Sequence, residues 1–533
     1  MKKIYLIFIL AALVSCNNDI AVLEGDVIPS SAVKDYVEKF NSTDDEVYKQ
    51  FIPNSGAAEF LVANMPRFEC PNKELEEIYY FRWWTFRKHI KQIPDGFIIT
   101  EFLSDVDWAG IYNCEIGSSM HHYNEGRWLH DQRYMDTYAY FTMRGGSNLR
   151  AYSCHVARSI YDYYLVTGND LFIREFVPDF IANFEEWEKK RFDPAIGLFW
   201  QFPGQDAMEM AICGDLEKEV AGYRDVINSY LIAEAQTIAK LAMRYNHPKA
   251  AEYAQKAAAL HAKMLETLWD DKAQFFKVLP RIADATLCNA RELHGYTPWC
   301  YNLADEKYAA AWQFLMDSTY FYAPYGPTTA ERCHPGFQIS YQGHECQWNG
   351  PSWPFSTCIT LAGIANTLNS QQQNYITKKN YFDLLKIYAH SHHLTKEDGT
   401  VVPWIDENLN PFTGDWITRT RLKIWENGTW SAGKGGVERG KDYNHSTFCD
   451  LVITGLVGIR PQESDTLTIN PLVPGDTWEY FCLENVLYRG HHITVVYDKS
   501  GGTYNLGKGL MVFVDGRLKG QRNDLGNIRV SLI

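Results

Sequence analysis

From about residue 70 to residue 460 one pattern recurs: apolar side chains every three to four positions, then a long loop rich in Gly, Trp, Pro and charge. The first half of that pattern is the helical period. In 248–269 it is carried by Ala250, Ala251, Ala254, Ala257, Ala258, Leu260 and His261. The same period marks helices over 73–90, 129–143, 150–167, 171–190, 227–245, 306–317, 356–368, 375–390 and 444–457. A helical solenoid would repeat its sequence at a fixed interval, and no such interval is present. Long ordered loops inside a compact domain usually carry function. Helix pairs that alternate with such loops fit an (α/α)6 toroid, two concentric rings of helices, spanning 70–460.

The pattern changes at Arg460-Pro461. Beyond it come short β-rich runs, Leu467 to Ile469, Ile493 to Tyr497 and Leu510 to Val514, separated by turn signals at Lys499 to Gly502 and at Asp515-Gly516. Residues 461–533 therefore read as a small antiparallel, sandwich-like β domain, expected to serve as a structural cap and not as a sugar-binding module. At the other end, Lys2 and Lys3 precede an apolar run from Ile4 to Val14, too short to span a bilayer and the right length for a signal peptide. Leu13-Val14-Ser15-Cys16 resembles a bacterial lipobox, so 1–16 is expected to be removed and Cys16 to carry lipid. Residues 17–69 would form a tether and a leader. The chain is then expected to be exported and held to a membrane by its lipid alone, facing the periplasm or the outside of the cell.

A net charge of −14 without a basic run excludes nucleic acid, whose phosphates need clustered Lys and Arg. The 16 Trp and 33 Tyr point to sugars, because flat rings stack on apolar sugar faces and their polar edges meet hydroxyls. The 12 Cys contain no CxxC pair, which leaves a zinc ribbon unsupported. Few or no disulfides are expected. The sequence has no G-x-G-x-x-G after a strand, no phosphate loop and no D-x-D-x-D-G calcium loop, so neither cofactor nor metal is expected. His121 and His122 are adjacent, and neighbours in sequence rarely point at one ion.

Four segments concentrate the chemistry. The first runs from His121 to Asp131 and holds Arg127, Trp128 and Asp131. The second, Trp200 to Glu209, sets Asp206 and Glu209 among aromatic rings and a Gly turn. Trp348, Asn349 and Trp353 lie in the third, Gln347 to Phe355. The fourth, Trp404 to Gly414, contains Asp406 and Glu407 and is complemented by Tyr443-Asn444-His445-Ser446. Glycosidic cleavage needs two carboxyl groups across one sugar. One must hold a proton, which burial against rings arranges by disfavouring its anion, and the other must stay ionised. The second and fourth segments each offer a carboxylate beside apolar rings. Composition does not choose between Asp206 and Glu209, or between Asp406 and Glu407.

The stretch 70–460 resembles glycoside hydrolase family 63, in particular its bacterial mannosylglycerate-hydrolase-like members, which are six-hairpin glycosidases. Trp348-Asn349-Gly350-Pro351-Ser352-Trp353 is similar to that family's W-x-G-P-x-W loop, which lines the subsite of the cleaved sugar. Glu407 to Gly414 is similar to its E-N/Y-Y-x-P-x-T-G motif, whose Glu is the general base. Tyr443 to Ser446 stands where relatives have F-x-W-S, and Ala207-Met208-Glu209-Met210 where they have G-M-D-N around the general acid. Here Glu replaces Asp, and Met210-Ala211 replaces a polar pair. The resemblance implies an inverting, exo-acting hydrolase that removes a terminal α-linked sugar from an oligosaccharide or polysaccharide. Glu209 would be its acid and Glu407 its base. Arg127, Trp128, Asp131, Asp206, Trp348, Asn349, Trp353, Asn444 and His445 would then contact or frame the sugar. Two other readings share the toroid: a polysaccharide lyase recruiting His121, His122, Tyr123 and His445, and a glycan-binding lipoprotein without turnover.

Overall fold

A computed structural model describes residues 22–214, 220–425 and 434–533. The signal segment and Cys16 lie outside the described residues. The periodic stretches, together with Ser119–Gly126 and Thr297–Cys300, which the period did not mark, form six helical hairpins. Their outer members are Lys73–Lys88, Arg133–Arg144, Val177–Arg191, Ala250–Leu268, the 3-10 helix Glu306–Phe314 and Lys378–Ser391. Their inner members are Ser119–Gly126, Val156–Thr167, Asp225–Arg244, Thr297–Cys300, Pro354–Ser370 and the π-helix Leu451–Leu456. Each inner member packs on the next in chain order, and the last outer helix packs on the first. The chain is thus mainly α, a toroid of two helical rings.

The seam between the last and first inner helices is closed by polar groups. The Glu125 carboxylate accepts from the backbone N–H groups of Phe448, Cys449 and Asp450 at 2.6–3.0 Å. Those are N–H groups that the first turn of the π-helix cannot satisfy internally. Asp450 in turn accepts from Arg127 Nε and Nη2 and from Trp128 Nε1. The seam also explains why 444–457 is not one helix. Glu125 claims the N–H groups of 448–450, and the helix runs only from 449 to 456, its last six residues as a π-helix. The segment 306–317 is likewise shorter and tighter than its period suggested. Gly455 lets the π-helix sit against Tyr381, whose hydroxyl would lie 1.9 Å from a Cβ there.

The leader is structured. Helices Ser30–Thr43 and Ala57–Asn64 pack on Lys73–Lys88, so that outer helix is buried on nearly every side. Arg67–Glu69 joins the C-terminal domain as the edge strand of a five-stranded antiparallel sheet, paired with Tyr480–Tyr488. A second sheet of three strands, Ile459–Arg460, Thr466–Ile469 and Ile528–Ser531, accompanies it. No described helix is long and apolar enough to cross a membrane.

Candidate active site

Loops that lead into the inner helices, among them the second, third and fourth chemical segments, meet around a cavity of about 260 Å³. Glu209 and Glu407 both line it. Trp348 and Trp353 line it as a stacked pair, with ring centroids 4.5 Å apart and planes 14° apart, and Phe355 and His445 complete that wall. Trp353 is held in place by its Nε1, which donates to the Gln347 carbonyl at 2.8 Å.

Glu407 is fully buried. One carboxylate oxygen accepts from Arg439 Nε at 2.6 Å, and the other faces the Cys346 thiol at 3.5 Å. Burial pushes its pKa up, and the Arg439 guanidinium opposes that shift. Arg439 also pairs with Glu345, which Lys434 reaches at 3.0 Å. Against the cost of burial, these cations hold the Glu345 carboxyl down at about 2. Asp406 lies behind Glu407, not in the cavity. One of its oxygens accepts from the Glu407 N–H at 2.8 Å and sits where a Cβ on Gly440 would lie, 1.8 Å away. Burial and the neighbouring Glu407 push Asp406 up to about 7.

The half-buried Glu209 rides on a strained turn. Ala207 and Met210, on either side of it, adopt left-handed φ of 59° and 62°, a conformation that costs non-glycine residues energy and concentrates at functional sites. The surroundings hold the turn in place. Trp348 N–H donates to the Glu209 carbonyl at 3.0 Å, Glu292 accepts from the N–H groups of Ile212 and Cys213, and a disulfide joins Cys213 to Cys288. His294, between Asp225 and Glu292, is raised to about 9 by those two carboxylates despite its burial, and so is charged.

Several residues expected at the sugar lie elsewhere. Asp206 faces away from the cavity in a wholly buried ion pair with Arg224 at 2.5 Å. Arg127 and Trp128 close the seam of the toroid through Asp450. Asp131 pairs with Arg133 at the surface at 2.6 Å. Asn349 is buried beside the cavity without lining it, its carbonyl accepting from Gln338 N–H. Asn444 ties the barrel together: its side chain donates to the Thr100 carbonyl, and its own carbonyl meets His122. His121 packs against the Cys358 thiol. Of the four residues of the lyase reading only His445 lines the cavity; His121, His122 and Tyr123 do not. Away from the cavity, Glu74, His390 and His393 bring ligand atoms within 4.8 Å of one another at the surface.

Other lining residues were not among the sequence candidates. Glu101 accepts from the Tyr443 hydroxyl, and burial together with Glu115 drives its pKa well up. Glu115 is pushed up to about 7 by burial, against the N–H groups of Ile116 and Gly117. His445, which the sequence did single out, also lines the cavity; its ring lies 3.8 Å from that of Tyr443, and it is kept neutral by burial and by the nearby His121 and Arg82. The arrangement can hold one sugar ring on the indole pair, with carboxyl groups of different protonation around it.

Residues 114–446 match the family model described as the mannosylglycerate hydrolase MGH1-like glycoside hydrolase domain. The chain belongs to that family of glycoside hydrolases. It is the group to which the tryptophan loop and the Glu407 segment point. Residues 459–519 match the C-terminal domain of glycosyl hydrolase family 65. A solved structure described as a sialidase is 37% identical, with a TM-score of 0.86, over 94% of this chain and 45% of that one. The present chain thus spans less than half the length of that relative. The family 78 rhamnosidase of Bacillus sp. GL1 matches at 13% identity and a TM-score of 0.55, over 84% of this chain and 41% of the other. The α-L-rhamnosidase of Streptomyces avermitilis matches at 11% and 0.50, over 88% and 41%. These two likenesses are of fold alone.

Proposed function

We propose that this glycoside hydrolase is exo-acting and inverting, removing one terminal α-linked sugar from an oligosaccharide. The observation that carries the reading is that Glu209 and Glu407 line one cavity, walled by stacked indoles and, at 260 Å³, below the size of a drug-sized site. Glu209 protonates the leaving oxygen and Glu407 deprotonates a water on the opposite face of the ring. Burial makes Glu407 a stronger base, while Arg439 keeps it ionised. Inversion and the α linkage rest on the family resemblance.

The sugar in this reading is neutral. Glu101, Glu115, Glu209, Glu345 and Glu407 surround the cavity, and its cations Arg439 and Lys434 are already turned to Glu345 and Glu407. A sialic acid would bring its carboxylate into a cavity whose two cations are already taken by Glu345 and Glu407, so the activity named for the 37% identical relative is not carried over.

Glu407→Gln is expected to lower kcat by about 10²- to 10⁴-fold on every substrate. Glu209→Gln should spare glycosides with activated leaving groups, which need no protonation. Proton NMR of the first-formed anomer reads the stereochemistry, and retention would sink the inverting mechanism. Glu115, with its carboxyl near 7, is the second reading for the acid. It gains the role if Glu115→Gln, and not Glu209→Gln, shows the leaving-group dependence. Export and lipid anchorage through Cys16 complete the proposal. Loss of palmitate labelling in Cys16→Ala tests them.

A further inference from the structure

We propose that the leaving-group side of the substrate runs out of the catalytic cavity over Phe102 into a second cavity, which binds at least two further sugars. The inference rests on the glycosidase reading and names the substrate class as an oligosaccharide, not a simple glycoside. The second cavity measures about 660 Å³ and is lined by Tyr48, Phe51, Lys91, Gln92, Phe102 and Asn113, among others. That is more than twice the catalytic cavity and within the range of sites that bury a sizeable ligand. Phe102 lines both spaces.

Three features make this wall a binding surface. Rings run along it: Tyr443 lies 4.7 Å from Phe102, Trp108 lies 5.6 Å from it on the catalytic side, and Phe51 stands in the second cavity. Trp108 is 39% exposed and Phe51 42% exposed, which leaves part of each ring accessible to a sugar. The wall is also fixed. Asn113 donates to the carbonyls of Phe102 and Ser104 and accepts from Val106 N–H, and Lys91 donates to the Tyr112 carbonyl. Finally, Tyr112 and Asn113 hold left-handed φ of 61° and 63°, a local cost spent on the segment that shapes the wall.

The test compares the whole protein with its Phe51→Ala variant on an aryl monosaccharide glycoside and on an oligosaccharide that releases the same sugar. The expected result is a fall in kcat/KM of about 3- to 10-fold on the oligosaccharide alone, the size of one aromatic contact. Equal effects on both substrates, or none on either, would overturn the proposal. A binding readout separates it from the hydrolase reading. Plant and host oligosaccharides are titrated calorimetrically into Glu407→Gln and into Glu407→Gln/Phe51→Ala. Weaker binding in the double variant supports the subsite even if turnover fails, and identical or absent binding in both refutes it.

Discussion

Arg439 is the residue on which the chemistry of Glu407 turns. It places a guanidinium 2.6 Å from a carboxylate that burial would otherwise neutralise. A general base works only while ionised, so its pKa sets the acidic limb of the pH–rate profile. Removing the cation raises that pKa further. Arg439→Gln should therefore move the acidic limb of kcat/KM to higher pH, by about one to three units. Arg439→Lys, which keeps the charge and loses the fork, should recover part of the shift. A limb that stays in place in Arg439→Gln would mean that Glu407 is not the base being titrated. Glu407 was legible in the sequence because its motif is contiguous. Arg439 was not, since it stands 32 residues away in a glycine-rich run with no motif of its own. The choice between Asp206 and Glu209 was illegible for a similar reason: the partner that draws Asp206 out of the cavity is Arg224, 18 residues on.

At the scale of elements, the helical period located most hairpins, because an inner or outer helix must bury one stripe against the next ring. It failed at the seam, where Phe448 to Asp450 give their N–H groups to Glu125 and not to a helix. Composition, for its part, drew Arg127 and Trp128 towards the sugar, since a cation beside an indole has the make-up of a binding site. Here the pair is a clasp on Asp450, and the two uses make opposite predictions. Trp128→Phe removes one of the three donors to Asp450 Oδ1 and should cost about 1–2 kcal/mol in urea denaturation, with kcat/KM unchanged in the folded enzyme. Glu125→Ala orphans three backbone donors and should cost about 3 kcal/mol or more. If Trp128→Phe lowered kcat/KM at full stability, the indole would belong to the substrate after all.

Many titratable groups of the described residues lie in the interior, because a toroid with polar segments pointing inward cannot leave them all in water. Burial lifts Glu125 to about 7 and Glu234 to about 8, from an ordinary 4.5. A carboxyl with a raised pKa stabilises the fold while protonated, and that contribution fades as pH climbs through the folded value. His294, raised to about 9 by Asp225 and Glu292, contributes while charged and loses its share as pH passes from 6.5 through 9. The buried His89, His122 and His155 are lowered to about 3, so their neutral forms are complete above pH 6.5 and add nothing beyond it. These signs agree between pH 6.5 and 9, and Tm should fall across that window. In Glu234→Gln the amide oxygen still accepts from Arg158 N–H, as the carboxylate does at 2.9 Å, but cannot ionise. Its Tm should therefore decline less between pH 6.5 and 8 than that of the wild type. A wild-type Tm that is flat or rises over this range, followed by differential scanning fluorimetry at constant ionic strength, would show that these carboxyls reach water in the folded state.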